Sequence, residues 1–112
     1  MTADVQKFFD EDLPAKLAEH ADAARRVGAK LQIYVTGGGG GAWFVDASGS
    51  VPTVVPGEPG GQDATVTIDA EDFSAYRENP RVNGTSLLFA GKLKIEGNQM
   101  LGMRFAQLLA LK

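Results

Sequence analysis

Apolar residues at Val5, Phe8, Phe9, Leu13 and Leu17 recur at helical spacing, with Asp4, Gln6, Lys7, Asp10, Glu11 and Asp12 between them, so one stripe packs inward. Pro14 interrupts the stripe. Proline suits the first turn of a helix rather than its middle, so the pattern predicts a helix near 3–12, a break, and a second helix near 14–26 closed by Gly28. From Lys30 to Val35 the period changes to two: Leu31, Ile33 and Val35 point one way and Lys30, Gln32 and Tyr34 the other, which is a strand. Gly37 to Gly41 then separates it from Ala42-Trp43-Phe44-Val45-Asp46, and the two runs read as an antiparallel hairpin. Val51 to Val55 is β-branched but carries Pro52, which predicts an edge strand missing a ladder donor.

Residues 56–62 have no periodicity and form a loop. Ala64, Val66 and Ile68 alternate with Thr65 and Thr67 as a half-buried strand, after which Asp69 caps a helix over about 70–78 that ends before Pro80. Asn83-Gly84-Thr85 reads as a loop, and Leu93 and Ile95 alternate with Lys92, Lys94 and Glu96 as a last strand. The closing helix, 98–112, places Leu101, Phe105, Leu108 and Leu109 on one strong face. Met100, Met103, Ala106, Ala110 and Leu111 spread apolar surface nearly all round it. A helix this apolar in so small a chain needs cover on more than one side: a sealed core, a ligand or a partner.

Composition narrows the functions. The 112 residues fit a single domain spanning 1–112, and 44% hydrophobic with 22% charged residues is the balance of an ordinary folded protein. The chain has no cysteine, which removes thiolate chemistry and cysteine-based metal centres. No basic leader or membrane-length apolar run appears, and Ala110-Leu111-Lys112 is not a peroxisomal address, so a cytoplasmic location is expected. A net charge of −3 opposes binding to nucleic acid. Arg25-Arg26 with Lys30, and Lys92 with Lys94, lack interleaved aromatics and read as solvated charges.

The glycine run lacks the lysine and hydroxyl of a phosphate-binding loop and is followed by a strand, which also rules out the dinucleotide fingerprint; it reads as a mobile hairpin tip. His20 is the only histidine, so a histidine metal cage is excluded, and with Glu19 and Asp22 beside it the residue reads as solvated rather than catalytic. Glu11/Asp12 and Glu71/Asp72 are adjacent on helices, where capping and solubility explain them. No catalytic residues, metal or cofactor are expected.

The run Asp63 to Phe73, then Phe89-Ala90-Gly91-Lys92-Leu93-Lys94-Ile95-Glu96-Gly97-Asn98, and then Met100-Leu101-Gly102-Met103, resembles the sterol carrier protein type 2 (sterol-binding) family. The match is close over residues 63–109 and looser before them. What the resemblance implies is an α+β fold, a five-stranded mostly antiparallel sheet with helices packed on one face enclosing an apolar tunnel. It further implies non-catalytic carriage of a fatty acid, fatty acyl-CoA or sterol-like molecule. Phe73, Leu88, Phe89, Ile95, Met100, Leu101, Met103, Phe105 and Leu108 are the lining it implies, each with the alternative of sealed core. Met100 and Met103 are the preferred ligand contacts, because the thioether adapts to varied apolar shapes. The expected partners are a long apolar ligand and, transiently, a membrane or a lipid-metabolising enzyme. A rival reading is an accessory module that docks a partner enzyme and presents its hydrophobic substrate.

Burying a C16 chain at ~0.8 kcal/mol per methylene yields on the order of 10 kcal/mol. Association and ordering costs return several of those, which leaves affinity around the micromolar range, suited to loading and release.

Overall fold

A computed structural model describes residues 4–111. The ends of the first and last sequence-predicted helices, at Ala3 and Lys112, lie outside the described residues.

The N-terminal helical stretch runs without a break through Pro14. It comprises α1 (Asp4–Lys7), a π turn (Phe8–Asp12) and α2 (Leu13–Glu19), and the amide of Leu13 donates to the carbonyl of Phe8 five residues back. The wider π turn puts Pro14 at the start of α2, where its missing N–H is harmless. The expected break at Pro14 is therefore corrected: it falls at His20, before α3 (Ala21–Val27). Gly28 ends α3 in the left-handed region, as expected of a helix terminator.

The sheet comprises β1 (Lys30–Thr36), β2 (Gly41–Asp46), β3 (Thr53–Pro56), β4 (Ala64–Asp69) and β5 (Leu93–Gly97), in the order β3-β2-β1-β4-β5. Three pairings are antiparallel, and β1 with β4 is parallel. The edge strand begins at Thr53 rather than Val51, so Pro52 precedes it and removes no ladder bond.

After β4, the Asp69 side chain accepts from the amide of Glu71 and opens α4 (Ala70–Glu78). Asn83-Gly84-Thr85 is not a loop. Residues Pro80–Phe89 form a further helix, α5, with proline in its first turn. A Cβ at Gly84 would lie 2.8 Å from Cε1 of Tyr76, so the glycine lets the buried tyrosine ring of α4 lie against α5. The last helix is likewise corrected from one piece to two, α6 (Gln99–Met103) and α7 (Phe105–Leu109), joined at Arg104. The Arg104 guanidinium donates to the carbonyl of Val27 at 3.1 Å and ties this joint to the end of α3.

The helix-facing side of the sheet buries Leu31, Ile33, Val35, Trp43, Val45, Val66, Ile68 and Leu93. Against it sits an aromatic stack centred on Phe9, which is stacked on Trp43 at 4.4 Å and on Phe73 at 5.4 Å, with Phe105 at 6.4 Å. Each such pair adds about 0.5–1.5 kcal/mol beyond area burial. On the opposite face Gln32 is buried, its amide donating to the carbonyls of Trp43 and Gly57, while Tyr34 bonds Glu58. These contacts hold the 56–62 loop against the sheet.

Candidate functional site

Helix α7 and the residues flanking it are apolar on more than one side. Phe105 and Leu108 are fully buried, whereas Met103, Ala106, Leu109, Ala110 and Leu111 reach a groove open to the surface. The groove is a succession of clefts. The first, about 290 Å³, lies between the N-terminal helical stretch and α4, with Val5, Phe8, Phe73, Arg77 and Leu109 in its walls. It continues through Lys16, Arg77, Glu78 and Leu109 into a cleft of about 510 Å³ at the α4–α5 junction. Pro80, Arg81, Ala110 and Leu111 are shared in turn with a third, about 520 Å³, that reaches Ala23 and Arg26 on α3 and Met103 and Ala106 on α6 and α7. The two larger clefts fall within the range of about 300–1,000 Å³ typical of small-molecule sites.

Apolar side chains and basic groups share the walls of the groove. Arg77 lies over the Phe8 ring at 4.2 Å and Lys16 over the same ring at 5.9 Å, two cation–π contacts at the mouth of the first cleft. Tyr34, Asp46 and Tyr76, which lie away from the groove, are displaced from their ordinary behaviour. Tyr34 is pushed up by its hydrogen bond with Glu58, and Asp46 is held below the usual carboxylate range by its bonds from Ser48. Burial pushes up the Tyr76 phenol, whose hydroxyl meets no hydrogen-bond partner among the described residues. His20 lies at the joint between α2 and α3, 3.9 Å from Glu19. The groove can hold a guest by contact and charge.

The nine residues expected as lining do not converge on one cavity. Phe73 and Met103 line the groove, at opposite ends. Phe105, Leu108 and Ile95 are core, and Leu88 and Leu101 are half-buried against it. The γ2 methyl of Ile95 fills the space a Cβ at Gly102 would need. Phe89 is 86% exposed and Met100 66% exposed, both away from the described clefts. Sequence reading missed Val5, Phe8, Lys16, Arg77, Arg81 and Leu109. The four-residue spacing of Arg77 and Arg81 across Pro80 was a visible signal, but only the tertiary fold brings Lys16 beside them.

A mixed five-stranded sheet with short helices on one face and a groove along the last helix defines a small α+β binding domain. A profile of the SCP-2 sterol transfer family matches residues 10–110, and the chain belongs to that family. It is 31% identical over 102 residues to human sterol carrier protein 2, covering 88% of this chain and 18% of that protein. It is 29% identical over 89 residues to bovine hydroxysteroid dehydrogenase-like protein 2, covering 79% of this chain and 21% of the relative. The chain thus spans about a fifth of the length of the curated relatives it matches. In fold it is similar to the apo form of sterol carrier protein 2 from Yarrowia lipolytica, with a TM-score of 0.74 at 22% identity over 91% of this chain and 86% of that one.

Proposed function

We propose that this protein binds a lipid, such as a fatty acid, a fatty acyl-CoA or a sterol-like molecule, and carries it within the cytoplasm without chemical change. Family membership supports the ligand class. The observation that carries the reading is the closing segment from Met103 to Leu111, in which Phe105 and Leu108 seal the core while Met103, Ala106, Leu109, Ala110 and Leu111 line an open groove. A guest laid along Met103, Ala106, Leu109 and Leu111 removes hydrocarbon from water, the dominant source of affinity for such ligands.

Phe8, Phe9 and Phe105 pack against one another beside the sheet. In this reading a guest seats first in the groove, through Phe73 and Met103. It meets Leu101, Phe105, Leu108, Leu88 and Ile95 only as the helical layer parts, and exposed Phe89 and Met100 serve as contacts to the membrane that donates the lipid. Native mass spectrometry of the purified protein and titration with a fluorescent fatty acid test this. Retained lipid and saturable micromolar binding are expected, and an empty protein that does not bind the probe would overturn it.

A second reading is favoured by one observation. The matched relatives are several times longer, and one is named a hydroxysteroid dehydrogenase-like protein, so a domain of this kind also occurs beside other sequence. Here the chain would dock a lipid-metabolising enzyme and present its apolar substrate. Recovery of one stoichiometric enzyme partner, with no lipid bound to the isolated chain, would favour it.

A further inference from the structure

The sheet has two edges, β3 and β5. Pro52 precedes β3 and Pro56 closes it, which blunts that edge against further pairing, whereas β5 contains no proline. Bonds in an antiparallel ladder alternate, and the amide of Asn98 donates to the carbonyl of Asp63 at 3.0 Å, so Glu96 and Lys94 are the residues of β5 that bond to β4. Leu93 and Ile95 therefore direct their N–H and C=O groups outward. The Gln99 side chain caps the Ile95 carbonyl, but among the described residues the amides of Leu93 and Ile95 have no such cap. Lys94 and Glu96 are exposed, stand opposite Thr67 and Thr65 on the sheet face away from the helices, and take part in no ion pair among the described residues. Two exposed apolar side chains flank the strand. Phe89, 86% exposed, is kept at its Leu93 end by a tight turn in which the amide of Lys92 donates to the carbonyl of Leu87. Met100, 66% exposed, lies beyond the Gly97 end in the first turn of α6, which Asn98 caps.

We infer that β5 pairs with β5 of a second copy of this chain, antiparallel about a two-fold axis at Ile95, joining the two five-stranded sheets into one. The strand's own charges choose that register. With the axis at Ile95, each Lys94 faces the second copy's Glu96, at positions where side chains across a ladder approach most closely. Moving the axis to Lys94 or to Glu96, the next registers that the ladder allows, sets like charges against each other. The same two-fold carries Phe89 of each copy to the end of the strand where Met100 of the other stands, so both apolar side chains gain cover. Each Ile95 carbonyl exchanges its Gln99 cap for the amide of the second copy's Ile95. The contact is small, which sets a dissociation constant on the order of 100 µM. The inference stands apart from the carrier reading, because no lipid takes part. Pairing and the membrane contact proposed for Phe89 and Met100 exclude each other.

The test is sedimentation equilibrium of the full chain from about 10 µM to 1 mM, with thermal melts to confirm that each variant folds. A reversible monomer–dimer equilibrium is expected, weakened by added salt. K94E alone and E96K alone each set like charges against each other at both places, and each should weaken pairing about tenfold or more. An equal mixture of the two variants should recover it, as should K94E/E96K, because opposite charges then face again. F89S should also weaken pairing while leaving the melt unchanged. A protein that stays monomeric throughout would overturn the inference, as would a dimer indifferent to both single charge changes or a mixture that fails to recover. A flotation arm uses phosphatidylcholine vesicles with the parent chain and F89S/M100S. If the double variant loses vesicle binding while its sedimentation matches the parent's, the two apolar side chains serve a membrane alone and the inference fails.

Discussion

Replacing Tyr76 by phenylalanine should make the protein more stable. The tyrosine is fully buried, its ring lies edge-on to Phe105 at 6.1 Å and against Gly84, and its hydroxyl has no hydrogen-bond partner among the described residues. A buried hydroxyl that exchanges water for nothing costs about 1–3 kcal/mol, whereas the ring contacts are the same in phenylalanine. Taking the lower end, and an unfolding entropy of about 2.1 cal/mol/K per residue, a gain of about 1 kcal/mol raises Tm by about 4 °C. Thermal and urea unfolding followed by circular dichroism measure this, with an unchanged urea slope as the sign that only stability moved. Gly84→Ala should go the other way, because the added methyl would sit 2.8 Å from the same ring; overpacking of this kind costs about 1–3 kcal/mol. A Tyr76→Phe protein that melts at or below the parent temperature would refute the reasoning, since it would mean the hydroxyl is satisfied.

Phe9→Ala removes the centre of the aromatic stack and should cost about 3–5 kcal/mol in urea unfolding; a loss under 1 kcal/mol would mean that the neighbouring rings collapse into the space. Met103→Glu charges the groove wall at a half-buried position, so lipid affinity should fall about tenfold or more with little change in Tm, whereas Leu108→Ala should cost about 2–5 kcal/mol of stability. Similar effects of the two changes on binding and stability would contradict the separation of groove from core. Asp46 has a folded-state pKa below its ordinary value because Ser48 donates to its carboxylate at 2.6 and 2.9 Å. Its contribution is therefore present above the usual carboxylate range of about 3.9 and lost as pH falls through the folded value. The stability gap between parent and Asp46→Asn should be largest near neutrality and close in acid, and a gap that widens in acid would contradict the assignment.

The sheet was legible because alternation survives translation into structure: Ala64, Val66 and Ile68 are buried and Thr65 and Thr67 half-exposed, as their period implies. The cap at Asp69 was visible for a similar reason, a local interaction written in neighbouring residues. Helix α5 was hidden because Asn83-Gly84-Thr85 has turn chemistry, and what overrides it is tertiary: Tyr76, from another helix, needs the bare backbone at Gly84. Pro14 misled for the opposite reason, since a π turn upstream absorbs it without ending the helix. The parallel pairing of β1 with β4 depends on a crossover that no single segment records.

The site was less legible than the fold. Apolar excess on the closing helix pointed to a surface that needs cover on more than one side, and residues of α7 and its flanks do line both core and clefts. Whether a given residue faces the core or the groove, however, depends on the helix rotating at Arg104 into two pieces, a joint set by its bond to Val27. Hence Phe105 and Leu108 are core while Leu109 lines the groove. Lys16, Arg77 and Arg81 come from three segments that meet only in the folded chain, so no run of basic residues announced them.

The most direct test of lipid binding along α7 is a nitrogen-15 correlation titration of the protein with palmitate, following every backbone amide. The largest shifts are expected at Ser74, Arg77, Met103, Ala106, Leu109 and Ala110, in the walls of the groove, with saturation in the micromolar range. Shifts confined to Thr65, Thr67 and Lys94 on the opposite face of the sheet, or no saturable shift at all, would contradict the account.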